Sequence, residues 1–168
     1  LPIIKYAIEK GNNVEYLDLG GGFPVEYGDK KIFTPEEVGN TFIPELEDIT
    51  EELGLPRLTL VFAPGKFIVA PSGGGVTRVV SVKDFGERKV AIVDGSTYAM
   101  LPDPLTWDCY YHILPVNKME TEVQEIYDIH GSTCDYLDKI GKERKLPVLK
   151  EGDLLAVMDT GAYSNVLA

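Results

Sequence analysis

Leu17-Asp-Leu-Gly-Gly-Gly-Phe-Pro24 is a short apolar strand that runs directly into three consecutive glycines. Residues 14–19 alternate less between polar and apolar side chains than a half-exposed strand would, which is typical of a strand in a parallel sheet. Barrels of alternating strands and helices bind ligands where their strands end, and glycines there let backbone amides approach a phosphate. A tight turn without a ligand has the same pattern, so Gly20, Gly21 and Gly22 are candidates only.

The elements around this strand predict a parallel arrangement. Residues 3–10 resemble the end of a helix that stops at Gly11, and Thr34-Pro-Glu-Glu37 carries the signals of a helix start. Pro44 is expected to break or kink that second helix. Residues 57–62 form the next strand, and the order helix, strand, helix, strand implies parallel crossovers.

The pattern changes at the second triple glycine, residues 73–75. Beyond it, residues 76–82, 89–93, 122–129 and 154–158 alternate or are β-branched, with turn residues between them, which predicts antiparallel strands. A (β/α)8 barrel needs about 250 residues. We therefore expect the C-terminal part of such a barrel over residues 1–75 and an antiparallel β-domain over residues 76–168, the chain being a fragment of a longer protein.

Composition excludes several classes of function. The chain has 168 residues, 44% of them hydrophobic, and a formal net charge of −11, which disfavours nucleic acid as a partner because phosphates would be repelled. Two histidines are too few for a His-rich zinc site, and no apolar run is long enough for a membrane span. We expect a cytoplasmic protein without a structural metal or a disulfide scaffold.

Two further segments carry candidate chemistry. Gly131-Ser-Thr-Cys-Asp-Tyr-Leu-Asp138 places Cys134 beside a carboxylate, and Asp159-Thr-Gly-Ala-Tyr163 places a tyrosine after a glycine turn. Taken alone, a cysteine is more often a small buried hydrophobe, and such a tyrosine is usually a half-buried aromatic side chain.

In their order, the three segments resemble the alanine-racemase-like (fold type III) pyridoxal-phosphate decarboxylases of ornithine, lysine, arginine and diaminopimelate. The resemblance implies pyridoxal 5'-phosphate as cofactor, with Gly20–Gly22 and Tyr163 contacting it. It also implies that Cys134 protonates the substrate carbanion after decarboxylation and that Asp135 helps to hold the distal amine of the substrate. The element that carries Cys134 would reach the active site of the partner subunit, which implies a homodimer with shared sites.

The stretch 94–113 resembles the part of this family that contacts the distal end of the substrate. Diaminopimelate decarboxylases have an arginine where this chain has Asp103, and Asp108 lies where ornithine-type enzymes carry an amine-binding aspartate. An acid in place of a base favours a basic amino acid (ornithine, lysine or arginine) and a product of the polyamine type. Diaminopimelate decarboxylase remains an alternative.

Ala63-Pro-Gly-Lys66 departs from the family's Glu-Pro-Gly-Arg. The resemblance implies that the glutamate pairs with the ring nitrogen of the cofactor, which alanine cannot do. It also implies that the arginine contacts the cofactor phosphate, a contact assigned here to Lys66, which keeps the charge but loses the bidentate geometry. A non-catalytic homologue that binds a partner is therefore a second hypothesis, and a racemase relative is disfavoured by the cysteine-acid element.

Overall fold

The computed structural model describes residues 1–26, 31–86, 88–106 and 109–164. These residues form two compact units, which are described separately below. The first unit comprises Leu1–Pro24 and Lys31–Gly65, and the second comprises Val25–Lys30 and Lys66–Ala168.

The first unit contains two helices and two short strands. They follow in the order α1 (Pro2–Glu9), β1 (Tyr16–Asp18), α2 (Pro35–Glu52) and β2 (Thr59–Val61). β1 and β2 pair in parallel, with Leu17 opposite Leu60. The parallel arrangement predicted from the order of elements is thus confirmed.

Both ends of α2 are capped as the sequence indicated. The Thr34 hydroxyl accepts a hydrogen bond from the Glu37 amide (3.1 Å), and the Glu37 carboxylate accepts one from the Thr34 amide (3.0 Å). At the other end Gly54 adopts a φ of 64°, which allows a Schellman motif. Pro44 does not break the helix, which continues through that residue, and the kink expected as the alternative stays a prediction. The two capped ends offset the single backbone bond that proline removes.

The second unit is built on a six-stranded sheet in the order β5-β8-β3-β4-β6-β7. The strands are β3 (Gly74–Asp84), β4 (Lys89–Val93), β5 (Ile113–Pro115), β6 (Glu125–His130), β7 (Lys139–Leu146) and β8 (Leu154–Met158). Short helices lie before and between them: α3 (Gly65–Val69), α4 (Thr97–Met100) and α5 (Asp103–Thr106), with 3-10 turns at Ala70–Ser72 and Val116–Lys118.

The sheet is not purely antiparallel, which corrects the prediction for this domain. β4 and β6 pair in parallel, with Ala91 opposite Ile129, whereas the other described pairs are antiparallel. A parallel pair needs a crossover of about a dozen residues or more, and the connection from Val93 to Glu125, which contains α4, α5 and β5, is long enough.

The sheet curls into a nearly closed, barrel-like shape. Its two end strands approach each other, since a Cβ added to Gly141 of β7 would lie 2.7 Å from Cδ1 of Ile113 in β5. The enclosed core is apolar, and it includes Val79, Val93, Tyr111, Tyr127, Ile129, Ile140, Leu155 and Val157. Its tyrosines keep polar partners: the Tyr127 hydroxyl accepts a hydrogen bond from the Leu149 amide (3.0 Å).

The first unit has much less core of its own. Among its described hydrophobic residues, Leu46 alone is buried, while Tyr16 in β1 and Phe33 remain 64% and 75% exposed. A sheet of parallel strands is normally covered on both faces.

Within the described residues, no helix combines the length and the hydrophobicity needed to cross a membrane.

Candidate active site

The glycine turn after β1 is held by its own backbone and by one carboxylate. The Gly20 amide donates to Oδ1 of Asp18 (2.7 Å), and the Gly20 carbonyl accepts from the Ala63 amide (2.7 Å). Gly20 and Gly22 have φ values of 70° and 89°, in the region that favours glycine. In the described part of the chain, the amides of Gly21 and Gly22 donate to no protein acceptor. Two open amides on a glycine turn suit an anion such as the phosphate of pyridoxal phosphate.

Ala63 is part of the same arrangement through its backbone. A Cβ on Gly21 would lie only 2.5 Å from the Ala63 carbonyl oxygen, so the two segments pack in direct contact. The Ala63 side chain is exposed and offers no carboxylate. The departure seen in the sequence therefore lies at the glycine turn itself.

Lys66 forms a largely buried ion pair. Its Nζ lies 2.8 Å from Oδ2 of Asp103, which is 4% exposed, and the Tyr111 hydroxyl donates to the same carboxylate at 3.3 Å. A buried carboxylate is stable when it is paired and hydrogen-bonded in this way. Asp103 is thus committed to Lys66 and is not an open acid for a substrate cation.

Asp108, assigned to substrate binding, lies outside the described residues. Earlier in the same stretch, Asp94 accepts hydrogen bonds from the Thr77 hydroxyl (2.6 Å) and the Arg78 amide (2.7 Å). The backbone bond from Arg78, followed by that from Thr77, lowers the pKa of Asp94 below its ordinary value. Asp94 therefore fixes the start of the stretch to β3.

The loop of residues 131–138, which carries Cys134, joins β6 to β7. The Cys134 thiol is exposed, so it can reach a molecule outside its own unit. Tyr136 and Leu137 of the same loop border a cavity of about 650 Å3, to which Tyr110 and Arg144 also contribute. The Arg144 guanidinium lies over the Tyr110 ring at 3.9 Å.

Asp135 is held by a tyrosine that the sequence did not single out. The Tyr98 hydroxyl donates to Oδ2 of Asp135 at 2.6 Å, and the Leu137 amide donates to Oδ1 at 2.9 Å. The bond to Tyr98 lowers the pKa of Asp135, and the same bond raises the pKa of Tyr98 to about 12. At neutral pH, Asp135 is an anion and Tyr98 a neutral donor.

Asp138, the last residue of the motif, is buried within the loop. Burial raises its pKa, but hydrogen bonds from Thr97 and Thr133 outweigh that effect and hold the pKa below its ordinary value. Nothing in the sequence pattern pointed to Thr97, because its partner is distant along the chain.

Tyr163 follows a turn whose backbone packs closely against residues 69–73. The Gly161 amide donates to the Ala70 carbonyl (2.9 Å), and a Cβ on Gly161 would lie 2.0 Å from the Val69 carbonyl oxygen. Tyr163 is 49% exposed and has a φ of 61°, an unfavourable conformation for a residue with a Cβ. Local strain of this kind is common at ligand sites.

The structure brings some predicted site residues together. Within the second unit, Cys134 and Asp135 lie on a loop bonded to the 94–113 stretch, and Lys66 is bonded to the same stretch. Gly20–Gly22 belong to the first unit, so their proximity to Tyr163 stays a prediction. Sequence reasoning missed Thr97, Tyr98 and the pairing of Lys66 with Asp103. Of these, only Tyr98 had a weak signal, as one of several aromatic residues in that stretch.

Two family models match adjoining parts of the chain. The model described as pyridoxal-dependent decarboxylase, pyridoxal binding domain, matches residues 2–70. The model described as pyridoxal-dependent decarboxylase, C-terminal sheet domain, matches residues 66–161.

Similar proteins carry the names of diaminopimelate and lysine/ornithine decarboxylases. Diaminopimelate decarboxylase of Archaeoglobus fulgidus is 35% identical over 98% of this chain and 39% of its own length. That of Pseudomonas aeruginosa is 36% identical over 100% of this chain and 38% of its own length. The chain therefore spans less than two fifths of either relative.

Solved structures of the same two kinds of decarboxylase are similar to this chain. Diaminopimelate decarboxylase from M. jannaschii in complex with L-lysine superposes with a TM-score of 0.81 at 27% identity, covering 99% of this chain and 38% of that one. Lysine/ornithine decarboxylase from Vibrio vulnificus complexed with cadaverine superposes with a TM-score of 0.77 at 26% identity, covering 99% and 43%.

Proposed function

This chain belongs to the pyridoxal-dependent decarboxylases, and from that premise we propose that it supplies the C-terminal part of the active site of an amino-acid decarboxylase. The observation on which we chiefly rely is the 131–138 loop. An exposed thiol, Cys134, stands next to an ionised carboxylate, Asp135, on a loop anchored at both sides.

We infer that the first unit contributes two neighbouring strands to a (β/α)8 barrel. The parallel pairing of β1 and β2 and the scarcity of buried side chains in this unit support the inference. The remaining strands would come from the part of the relatives' length that this chain does not cover.

Pyridoxal phosphate, when bound, would supply an electron sink for the carbanion that remains after carbon dioxide leaves. The open amides of Gly21 and Gly22 would bind its phosphate, and Tyr163 is a further candidate for contact with the cofactor. Lys66 carries a charge suited to the phosphate, but its ammonium is shared with Asp103.

The side chains of this chain would then act on the substrate. The Cys134 thiol would donate a proton to the substrate's α-carbon, and the Asp135 carboxylate would hold the distal ammonium group. Asp108 is a second candidate for that ammonium. The 131–138 loop resembles the family element that reaches the active site of the partner subunit, and on that resemblance we infer a homodimer with shared sites. The exposed Cys134 thiol is compatible with proton delivery across such an interface.

The relatives favour diaminopimelate as the substrate over ornithine, lysine or arginine. Sequence relatives between 30% and 36% identical are named diaminopimelate decarboxylases. Among the solved structures the two kinds of enzyme are about equally similar, at 27% identity for the diaminopimelate decarboxylase and 26% for the lysine/ornithine decarboxylase. The main reason to prefer a purely basic substrate was Asp103, and that carboxylate is paired with Lys66.

The test is a substrate panel on the full-length protein loaded with pyridoxal phosphate. Carbon dioxide release should give the highest kcat/KM with meso-diaminopimelate, ahead of lysine, ornithine and arginine. Cys134→Ala should reduce turnover while leaving cofactor affinity unchanged, and Cys109→Ala should change neither. Equal turnover by Cys134→Ala and the wild type would remove Cys134 from the mechanism.

Ala63 favours a second candidate, a non-catalytic homologue that binds a protein partner. No carboxylate stands at this position, so the ring nitrogen would lose its expected partner. A folded full-length protein without the visible absorbance band of protein-bound pyridoxal phosphate, and without turnover on any of the four amino acids, would support this candidate.

A further inference from the structure

Asp138 is a carboxylate enclosed by donors from two different segments. Its Oδ1 accepts hydrogen bonds from the amide and the hydroxyl of Thr97, at 2.8 and 2.9 Å. Its Oδ2 accepts from the amide and the hydroxyl of Thr133, at 3.1 and 2.7 Å. The side chain is 1% exposed, and four bonds of this kind compensate for its desolvation.

The backbone around Asp138 closes the loop on itself. The Gly131 amide donates to the Asp138 carbonyl (2.9 Å), and the Asp138 amide donates to the Asp135 carbonyl (3.0 Å). A Cβ on Gly131 would lie 2.2 Å from the Asp138 carboxylate, so glycine leaves the space that this carboxylate fills.

Cys134 stands between two anchored neighbours. Thr133, before it, is bonded to Asp138, and Asp135, after it, is bonded to Tyr98. The hydrogen-bond partners on the other side are Thr97, which donates to Asp138, and Tyr98, which donates to Asp135. These two residues are consecutive, and both belong to α4. The loop position of Cys134 is thereby tied to the start of that helix.

We propose that Asp138 is a positioning residue that, through Thr97 and Thr133, holds the Cys134 thiol where it transfers its proton. This rests on the proposed function, in which Cys134 is the proton donor. Asp138 itself touches no substrate; its carboxylate fixes the loop.

Two substitutions weaken the hydrogen bonds around the Asp138 carboxylate in different ways. Asp138→Asn replaces an acceptor oxygen with an NH2 group that faces threonine donors, so those donors lose their partner. Thr133→Val leaves Asp138 and its charge unchanged but removes the hydroxyl that donates to Asp138 (2.7 Å) and accepts from the Asp135 amide (3.4 Å). Thr133→Ser keeps both donors. Asp128→Asn is a matched control, because Asp128 is also buried. Its carboxylate accepts a hydrogen bond from the Glu143 amide (2.9 Å), which lies outside the 131–138 loop.

The experiment measures the alkylation rate of Cys134 by iodoacetamide in the full-length holoenzyme, resolved by peptide mass spectrometry with Cys109 as reference. Asp138→Asn and Thr133→Val should alkylate about threefold faster or more, because a loop freed from these hydrogen bonds lets the thiol meet the reagent in more orientations. Thr133→Val keeps the Asp138 charge, so a change in local charge cannot account for its effect. Their kcat should fall about tenfold or more with KM nearly constant, as expected when a reacting group is misplaced. Thr133→Ser and Asp128→Asn should match the wild type.

Folded Asp138→Asn protein with unchanged Cys134 alkylation and unchanged kcat would overturn the proposal. If Asp138→Asn does not fold, Thr133→Val decides by the same two readouts. Wild-type protein inactive on every amino acid would defeat the proposed function, while the alkylation rates would still show whether Asp138 restrains Cys134.

Discussion

Gly21 shows how a single absent carbon atom sets the geometry of the candidate cofactor site. Its backbone conformation does not require glycine, but the Ala63 carbonyl oxygen occupies the space that a Cβ would need. The glycine is there for close approach between two segments. The triple-glycine pattern predicted a turn, whereas the partner across from it could be found only in the folded structure.

We expect Gly21→Ala to lower the free energy of unfolding by about 1–3 kcal/mol, the usual cost of overpacking a close contact. Gly65→Ala is the matched control, because a Cβ there meets no atom within 4 Å. Urea unfolding of both variants, with pyridoxal-phosphate titration, checks the prediction. Equal stability and equal cofactor affinity for the two variants would show that the turn yields without cost.

Ala63 decides between an efficient enzyme and a weak or silent homologue. A carboxylate next to the ring nitrogen of the cofactor raises the pKa of that nitrogen and favours its protonated form. We expect Ala63→Glu in the full-length protein to raise kcat/KM for decarboxylation by about tenfold or more, as for other preorganised electrostatic contacts. Ala63→Gln, of similar size but uncharged, should give no gain. Rapid turnover by the Ala63 protein with no improvement from glutamate would contradict this prediction.

The residue scale also shows where sequence reasoning fails. In the sequence, Lys66 and Asp103 each looked like a site residue by itself. Lys66 was assigned to the cofactor phosphate, and Asp103 was noted because it is an acid where diaminopimelate decarboxylases have an arginine. They are 37 positions apart, and their 2.8 Å contact leaves no trace in spacing or periodicity. Ion pairs between distant segments are properties of the fold, so neither charge could be discounted in advance.

At the scale of elements, β4 and β8 occupy the residues predicted for them, because both alternate or are β-branched. β7 escaped prediction because Lys139-Ile-Gly-Lys-Glu-Arg-Lys-Leu146 is dominated by charges. Its pairing with β6 overrides its low strand propensity, and its irregular register accommodates Glu143 at a φ of 53°. β5 escaped prediction because three residues are too few for a pattern.

The connection from β7 to β8 depends on a buried carboxylate, Asp153, at 1% exposure. Its carboxylate accepts hydrogen bonds from Lys118 Nζ (2.5 Å), from the Lys150 amide (2.8 Å) and from Asn117 Nδ2 (3.0 Å). Burial raises the pKa of Asp153, but these bonds, that from Lys118 first, outweigh burial and lower it below its ordinary value. This carboxylate therefore contributes stability above the unfolded-state pKa of about 4, and the contribution is lost as pH falls through the lower folded-state pKa.

We expect Asp153→Asn to lower the free energy of unfolding by about 1–3 kcal/mol at pH 7. The difference in unfolding free energy between the variant and the wild type should narrow below about pH 4, where the carboxyl of the unfolded wild-type chain begins to protonate. Asp84→Asn is the control, because the Asp84 side chain is 61% exposed and lies 3.6 Å from Lys89, a pair worth less than about 1 kcal/mol. The measurement is urea unfolding of both proteins between pH 7 and values below about pH 4. A stability difference that stays constant over this range would contradict the prediction.

At the scale of the whole molecule, the order of elements was sufficient to predict the parallel pair in the first unit, because right-handed crossovers leave few alternatives. It was not sufficient for the parallel pair in the second unit, where the crossover runs through short, irregular helices. Oligomeric state left no signal in composition either, and the shared active site is an inference from Cys134 and its loop.

Subunit mixing tests whether the active site is shared. Cys134→Ala and Lys66→Ala should each impair turnover, the first by loss of the proton donor and the second by loss of a phosphate contact. If Lys66 of one subunit works with Cys134 of the other, half of the sites in each mixed dimer are intact. Since half of the dimers in a random mixture are mixed, activity should recover to about one quarter of wild type. Cys134→Ala mixed with Asp135→Ala is the control, because both changes lie on one loop and no mixed dimer contains an intact site. Native mass spectrometry would verify the mixed dimers, and activity no higher than the sum of the separate variants would place Lys66 and Cys134 in the same subunit's site.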